Sequence, residues 1–310
     1  MSFNEKHILL TFDVEDWFQV ENFKQCIPFS SWECRPFRFE DNTYLILDLL
    51  DQFNVKATFF VLGWNAQCAP KLIHDIHTRG HEVASHGYHH NLCHLQSGCD
   101  LRDDLLNSKK ILEDVTGSPV YGYRAPSFSI NEEILKVIEE CDFLYDSSFN
   151  SFGTHPRYGQ IDLSGNGKNG VAFQISENFY ELPISNMKSG KYIFPWGGGG
   201  YFRLIPSPLF NWGVRLILHK ENGYIFYLHP WEIDPEQPKV QKAPLFYKFR
   251  HYTNLDKTFM KLSSFLKTFR KYQFVTCHQY LQRQRTTLRQ AQSKQAQGKR
   301  SEVKGRRSKV

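Results

Sequence analysis

Five short polar clusters, in fixed order along the chain, hold the residue types best suited to chemistry: Thr11-Phe12-Asp13-Val14-Glu15-Asp16, Ser85-His86-Gly87-Tyr88-His89-His90, Arg124-Ala125-Pro126-Ser127-Phe128, Tyr145-Asp146-Ser147-Ser148 and Leu228-His229-Pro230. Together they supply carboxylates at a strand end, a spaced histidine pair, an orienting arginine and a separate histidine. That is the equipment of a metal-dependent amide hydrolase. On an extended strand, side chains two residues apart share a face, so Asp13 and Glu15 point the same way while Val14 turns into the core. One carboxylate can hold a metal while the other takes a proton from water, with Asp16 as a reserve ligand. His86 and His90 lie four apart, which on one helical turn puts both imidazoles on one side. With Glu15 they make a His/His/carboxylate set, and three protein ligands leave positions open for water and substrate.

Arg124 can hold a carboxylate bidentately and so keep Asp13 an ionised base. Pro126 fixes the backbone behind it, and the Ser127 amide can point at a developing oxyanion. His229 follows an apolar strand and has the side chain of a general acid near neutral pH. Asp146 has two readings, an orienting partner for His229 or a turn-forming Asp bonded to its own backbone, and the sequence slightly favours the turn. Trp17, Trp196 and Trp231, with Gly197 to Gly200 and Tyr201, can form a sugar-stacking surface, although aromatic residues more commonly belong to the core. The glycine run lacks the Gly-x-x-x-x-Gly-Lys pattern and a helix cap, so it is not read as a phosphate loop. His74, His77, His81 and His219 read as ordinary polar residues, and His89 and His94 as minor candidates for supporting roles.

Positioning these groups requires strands that end together. His7 to Val14 reads as a buried strand, Asp41 to Phe53 as a helix with Tyr44, Leu45, Leu47, Leu49 and Leu50 inward, and Val55 to Leu62 as a second strand. Pro70 to Arg79 is a helix closed by Gly80, Glu82 to Ser85 a strand, Leu101 to Val115 a helix closed by Gly117, and Tyr121 to Arg124 a strand. Asn131 caps a helix reaching Glu140. This alternation predicts an α/β fold built from βαβ units, and every cluster falls just after a strand, where the loops of a parallel barrel converge on one face. Ser164 to Gly170 reads as a surface loop, Tyr224 to Leu228 as a strand, and Leu255 to Phe269 as a helix.

The 310-residue chain is 41% hydrophobic with 26 Phe and 15 Tyr, ample for a large core. Its net charge of +6 would suggest nucleic acid, but residues 283–310 carry ten Lys or Arg against one Glu, leaving the body about −3. Residues 283–310 are therefore expected to be a basic disordered tail, and the body is not expected to bind nucleic acid. Seven Cys without a C-x-x-C pair fit reduced thiols rather than a disulfide framework or a thiolate zinc site. With no apolar leader before the first strand and no 18-residue apolar span, the expected location is the cytoplasm, with no transmembrane segment.

At these motifs the chain resembles the polysaccharide deacetylase family, the NodB-homology carbohydrate esterases of family 4. The resemblance covers roughly Lys6 to Gln282 and implies a deformed (β/α) barrel spanning residues 1–282, with a divalent metal, zinc by expectation, held by an Asp-His-His set. It implies Asp13 as base and His86 and His90 as metal ligands; Arg124 to Phe128 resembles the third motif and Leu228-His229 the fifth. Val14 stands where the family has its adjacent ligand Asp, and Asp-x-Asp variants of the motif point to Glu15. Residues from about 197 to 282, including Gly197 to Pro206 and Tyr227 to Pro238, resemble a branch found in exopolysaccharide loci, including those associated with exosortase systems. The implied activity is removal of acetyl groups from N-acetylated sugars of a polysaccharide or its precursor. Hydrolysis of another non-peptide amide, or a non-catalytic glycan-binding module, are the alternatives.

Overall fold

The computed structural model describes residues 6–152 and 158–286. The chain opens with β1 (His7–Val14), α1 (Phe39–Gln52), β2 (Thr58–Val61), α2 (Gly63–Cys68), α3 (Pro70–Thr78), β3 (Glu82–Ser85), α4 (Gly98–Thr116), β4 (Gly122–Tyr123), α5 (Glu132–Glu140) and β5 (Tyr145–Asp146). Strands β1 through β5 are parallel neighbours in sequence order, as βαβ units require. The second half adds β6 (Gly167–Asn169), β7 (Ala172–Gln174), β8 (Tyr180–Glu181), β9 (Asn186–Ser189), β10 (Tyr192–Pro195), α6 (Gly199–Leu204), α7 (Ser207–Glu221) and β11 (Gly223–Leu228). It closes with α8 (Leu245–Tyr252), α9 (Leu255–Phe269) and β12 (Gln273–Phe274). Strand β11 returns to pair in parallel with β1 on the side opposite β2, so the last strand bearing a reactive motif lies beside the first.

The large sheet runs β11-β1-β2-β3-β4-β5-β8-β7-β6 and curls rather than closing with a regular strand. Irregular backbone spans the gap. Leu182 N–H donates to Asp146 O on one side, while Ser185 N–H donates to Ile225 O and Tyr227 N–H to Gly197 O on the other. The result is a deformed (β/α) half-barrel. Along β1 the pleat sorts side chains by parity: Ile8, Leu10, Phe12 and Val14 pack outward under the helices, while Leu9 joins the inner cluster. Thr11 and Asp13 share Leu9's face and thus the barrel interior.

Several expectations shift in detail. In α1, Leu45 is half-exposed and Ile46 is buried, because the buried positions 39, 42, 43, 46, 47, 49 and 50 follow the helical period and Leu45 falls opposite them. Helix α4 starts at Gly98, three residues early, with the Ser97 hydroxyl accepting the Asp100 N–H. Part of the expected Ser164–Gly170 loop is the hairpin strand β6, and the glycine run opens the short helix α6. The boundary expected at Arg283 falls within helical residues 277–286, and residues 287–310 of the expected tail lie outside the described residues. All seven Cys are free. No described helix is long and apolar enough to cross a membrane.

Candidate active site

Asp13 ends the inner face of β1, and the chain turns at once, with Glu15 N–H donating to Asp13 O at 2.9 Å. Both carboxylates thereby reach one cavity of about 130 Å³, lined also by His90, Ser127, Tyr201, His229, Trp231 and His251. His86 leaves β3 and His90 lies four residues on, but the segment is a loop rather than the expected helical turn: Gly87 has φ +76° and His90 φ +55°. A Cβ on Gly87 would sit 2.7 Å from Asp104 Oδ2, the atom that accepts the Tyr88 N–H, so the turn depends on glycine. Even so, the Nε2 atoms of His86 and His90 each lie 3.1 Å from Glu15 Oε1.

Hydrogen-bond chemistry tests whether these residues fit a cation. His86 Nδ1 lies 2.7 Å from the Arg124 carbonyl, which can only accept, so Nδ1 carries the proton. Nε2 of the neutral ring then presents a lone pair to a carboxylate oxygen, and two acceptors face each other unless something positive lies between them. Ligand atoms about 2 Å from a tetrahedral zinc are separated by roughly 3.3 Å, close to what is seen here. Glu15, His86 and His90, all buried, fit a divalent cation. Burial would raise the Glu15 carboxyl, but the neighbouring His90 and His229 hold it well below the ordinary value.

Asp16, the expected reserve ligand, is excluded. Its Oδ1 accepts the Trp17 N–H and its Oδ2 those of Arg38 and Phe39, so it staples the loop after β1 to the start of α1. Arg124 is fully buried and does contact Asp13, but not bidentately. Its Nη1 donates to Asp13 Oδ1 at 2.6 Å and to Thr11 Oγ1 at 2.8 Å, while Nε and Nη2 go to Ser147 O and Oγ. One guanidinium thus ties β1 to the loop after β5. Ser127 and Phe128, on the cavity wall, both have left-handed backbone (φ +52° and +58°), an uncommon conformation for a bulky residue such as Phe128.

His229, at the end of β11, faces the acids with Nε2 at 3.7 Å from Glu15 Oε1 and 3.9 Å from Asp13 Oδ2. Its orienter is Glu232, which the sequence reading missed. Glu232 Oε1 accepts both the His229 N–H (3.1 Å) and its ring Nδ1–H (2.8 Å), and Oε2 accepts from buried Arg203. Burial alone would lower the His229 pKa, but Glu15, Glu232 and Asp13 push it up to about 9. Asp146 takes no part in this. It accepts from Ser148 N–H and Oγ and sits against Glu181, both carboxyls raised by burial. The aromatic expectation divides: Trp17 and Trp196 are core residues, whereas Trp231 stacks between His229 (5.2 Å) and His251 (4.1 Å) on the cavity wall.

Comparison with known proteins fits this constellation. Residues 1–145 match the family described as polysaccharide deacetylase. These residues are a polysaccharide deacetylase domain. Residues 147–282 match a domain of unknown function (DUF3473). The chain is 29% identical over 161 residues to a peptidoglycan-N-acetylglucosamine deacetylase of Bacillus cereus, covering 51% of this chain and 68% of that one. Against another such deacetylase of Bacillus cereus it is 37% identical over 100 residues, which cover 32% of this chain and 36% of the relative. A protein of Mycobacterium smegmatis, provisionally assigned as a polysaccharide deacetylase, shares the fold at a TM-score of 0.58, with 20% identity and 92% of each chain covered. Puue allantoinase shares it at 0.57, with 13% identity and 89% of each covered.

Proposed function

We propose that this protein hydrolyses the acetamide of N-acetylated sugars in a polysaccharide or its precursor, and that it acts in exopolysaccharide biosynthesis. The observation carrying this reading is that Arg124-held Asp13 and Glu232-held His229 face each other across the Glu15-His86-His90 set. A divalent cation held by those three residues, zinc by the chemistry of its donors, would polarise the acetamide oxygen and make bound water more acidic. Asp13 takes the proton of the attacking water. His229, protonated at neutral pH, gives its proton to the departing amine. Arg124 holds Asp13 Oδ1, leaving Oδ2 as the oxygen nearer His229. Trp231 backs His229 on the cavity wall, and burial keeps His251 on its other side neutral, its pKa well below the ordinary value.

The names of the Bacillus relatives support a glucosamine-containing substrate. The resemblance of the second half to an exopolysaccharide-locus branch supports the pathway. Seven free thiols, three of them exposed, support a reducing compartment, and we place the protein in the cytoplasm. Acetate release from N-acetylglucosamine oligomers tests the activity, with elemental analysis of the same sample. Asp13→Asn should abolish turnover and retain metal; an inactive variant that has also lost its metal refutes the base assignment. The allantoinase-like fold gives substance to a second reading, hydrolysis of a small amide, which predicts no acetate from any glycan. Glycan affinity without hydrolysis would instead mark a binding module.

A further inference from the structure

Helix α8 carries large apolar side chains that nothing in the described protein covers. Leu245 is 82% exposed, Phe246 64% and Phe249 58%, together on one side of two helical turns. The opposite side is fixed. Tyr247, His251 and Tyr252 pack toward the aromatic cluster of Phe23 and Trp231, and Pro244 precedes the first turn. The helix's last carbonyls are fastened too, because Arg203 donates to Arg250 O, His251 O and Thr253 O. The helix is therefore not free to roll its apolar side inward. The stretch around it, residues 237–255, contains Lys239, Lys242, Lys248 and Arg250 and no Asp or Glu. Arg250 and His251 lie on the wall of the catalytic cavity, so this surface sits at its mouth.

Exposed Leu and Phe flanked by four cations, with the acids Glu236 and Asp256 only just outside the ends of the stretch, match the interfacial zone of an anionic bilayer, where apolar side chains enter the acyl boundary and lysines reach phosphate. We propose that α8 docks the protein on an anionic phospholipid surface, bringing the cavity mouth to glycans tethered to that membrane. An acidic protein groove would match the cations but would leave the Leu and Phe side chains needing a tailored pocket, whereas a bilayer accommodates both. Vesicle binding is read without substrate, so its outcome is independent of whether the chain deacetylates sugars.

The test is co-sedimentation of the full-length protein with phosphatidylcholine vesicles, with and without phosphatidylglycerol. Binding should require the anionic lipid and weaken with salt. Replacing Leu245, Phe246 and Phe249 together by Ser should cut vesicle affinity by about a thousandfold, from roughly tenfold per lost apolar anchor. Lys242→Gln and Lys248→Gln should each cost about fivefold. All of these positions lie outside the cavity, so acetate release from soluble oligomers should persist and certify that the variants are folded. Equal binding by the triple variant would assign the attraction to the basic residues beyond 286 and overturn the proposal. So would wild-type protein that sediments no better with anionic than with neutral vesicles, or that binds only polyanions such as RNA.

Discussion

Replacing Glu232 by Gln isolates the part played by a single charge next to the proposed acid. Its Oε1 accepts two hydrogen bonds from His229 and its Oε2 one from Arg203. An amide offers one acceptor oxygen and one NH₂, so either the nitrogen faces Arg203 or it faces His229 Nδ1–H. A donor–donor clash follows in either orientation, one toward Arg203 or two toward His229. Arg203 and Glu232 are both almost wholly buried, and removing one partner of a buried pair costs about 3–5 kcal/mol. Three backbone carbonyls still accept from Arg203, so the low end, about 3 kcal/mol, is expected. In catalysis, His229 loses both its fixed orientation and a charge that raises its pKa. A mispositioned acid should lower kcat by about a hundredfold, which corresponds to roughly 2.7 kcal/mol of barrier. KM and bound metal should stay near wild type, because Glu232 is not in the ligand set. The assay is steady-state acetate release with parallel urea unfolding and elemental analysis. A folded variant with unchanged kcat would refute the orienting role, and a fall in kcat matched by metal loss would reassign the residue to the metal site.

A Cβ on Gly199 would lie 2.1 Å from Glu232 Oε1, so Gly199→Ala should reproduce the kcat loss of Glu232→Gln without removing any charge; normal kcat in a folded variant would count against the relay. Arg124→Lys keeps the charge but leaves several of its four bonds unmade, with a loss of about 3 kcal/mol and near-complete inactivation, read by unfolding and acetate release. His81 tests pH dependence away from the site. Burial lowers its pKa to about 4, and its Nδ1 accepts the Ala57 N–H. A base with a depressed folded pKa leaves stability intact above about 6.5 and loses it as pH falls, because the unfolded chain binds the proton first. From pH 7 to pH 5 the wild type should lose about 2 kcal/mol that His81→Gln does not, and parallel urea profiles would refute this.

The sequence was most legible where strand physics is strictest. The bounds of β1 and β3 are those read from the sequence, and the inward direction of Asp13 follows from the pleat, while Glu15 reaches the same cavity through the turn that ends β1. What escaped depended on contacts between distant segments. That Asp16 is a loop staple rather than a ligand appears only once Arg38 and Phe39 are placed beside it. The left-handed turn at His90 needed the Gly87–Asp104 approach, and the single-pronged Arg124–Asp13 contact needed Ser147. Glu232 was within reach: His-Pro-Trp-Glu places Pro first and Glu third in a helical turn, the pattern in which Glu folds back on the preceding residue. The curl of the sheet was not readable, because the segments that span its gap are irregular backbone with no periodicity.

Strand β11 pairs with β1 along its whole length, as the end strand of the large sheet. The two family matches meet at residues 145 and 147, yet the groups facing each other across the cavity come from both sides of that seam. The segment of unknown function is thus the missing wall of a vessel whose other wall is the recognised one. Neither half can be traded by recombination for that of a distant cousin without breaking the pairing that brings Asp13 and His229 together. Inheritance should have kept the two as a single unit, and a gene carrying only one of them should encode a protein without this chemistry.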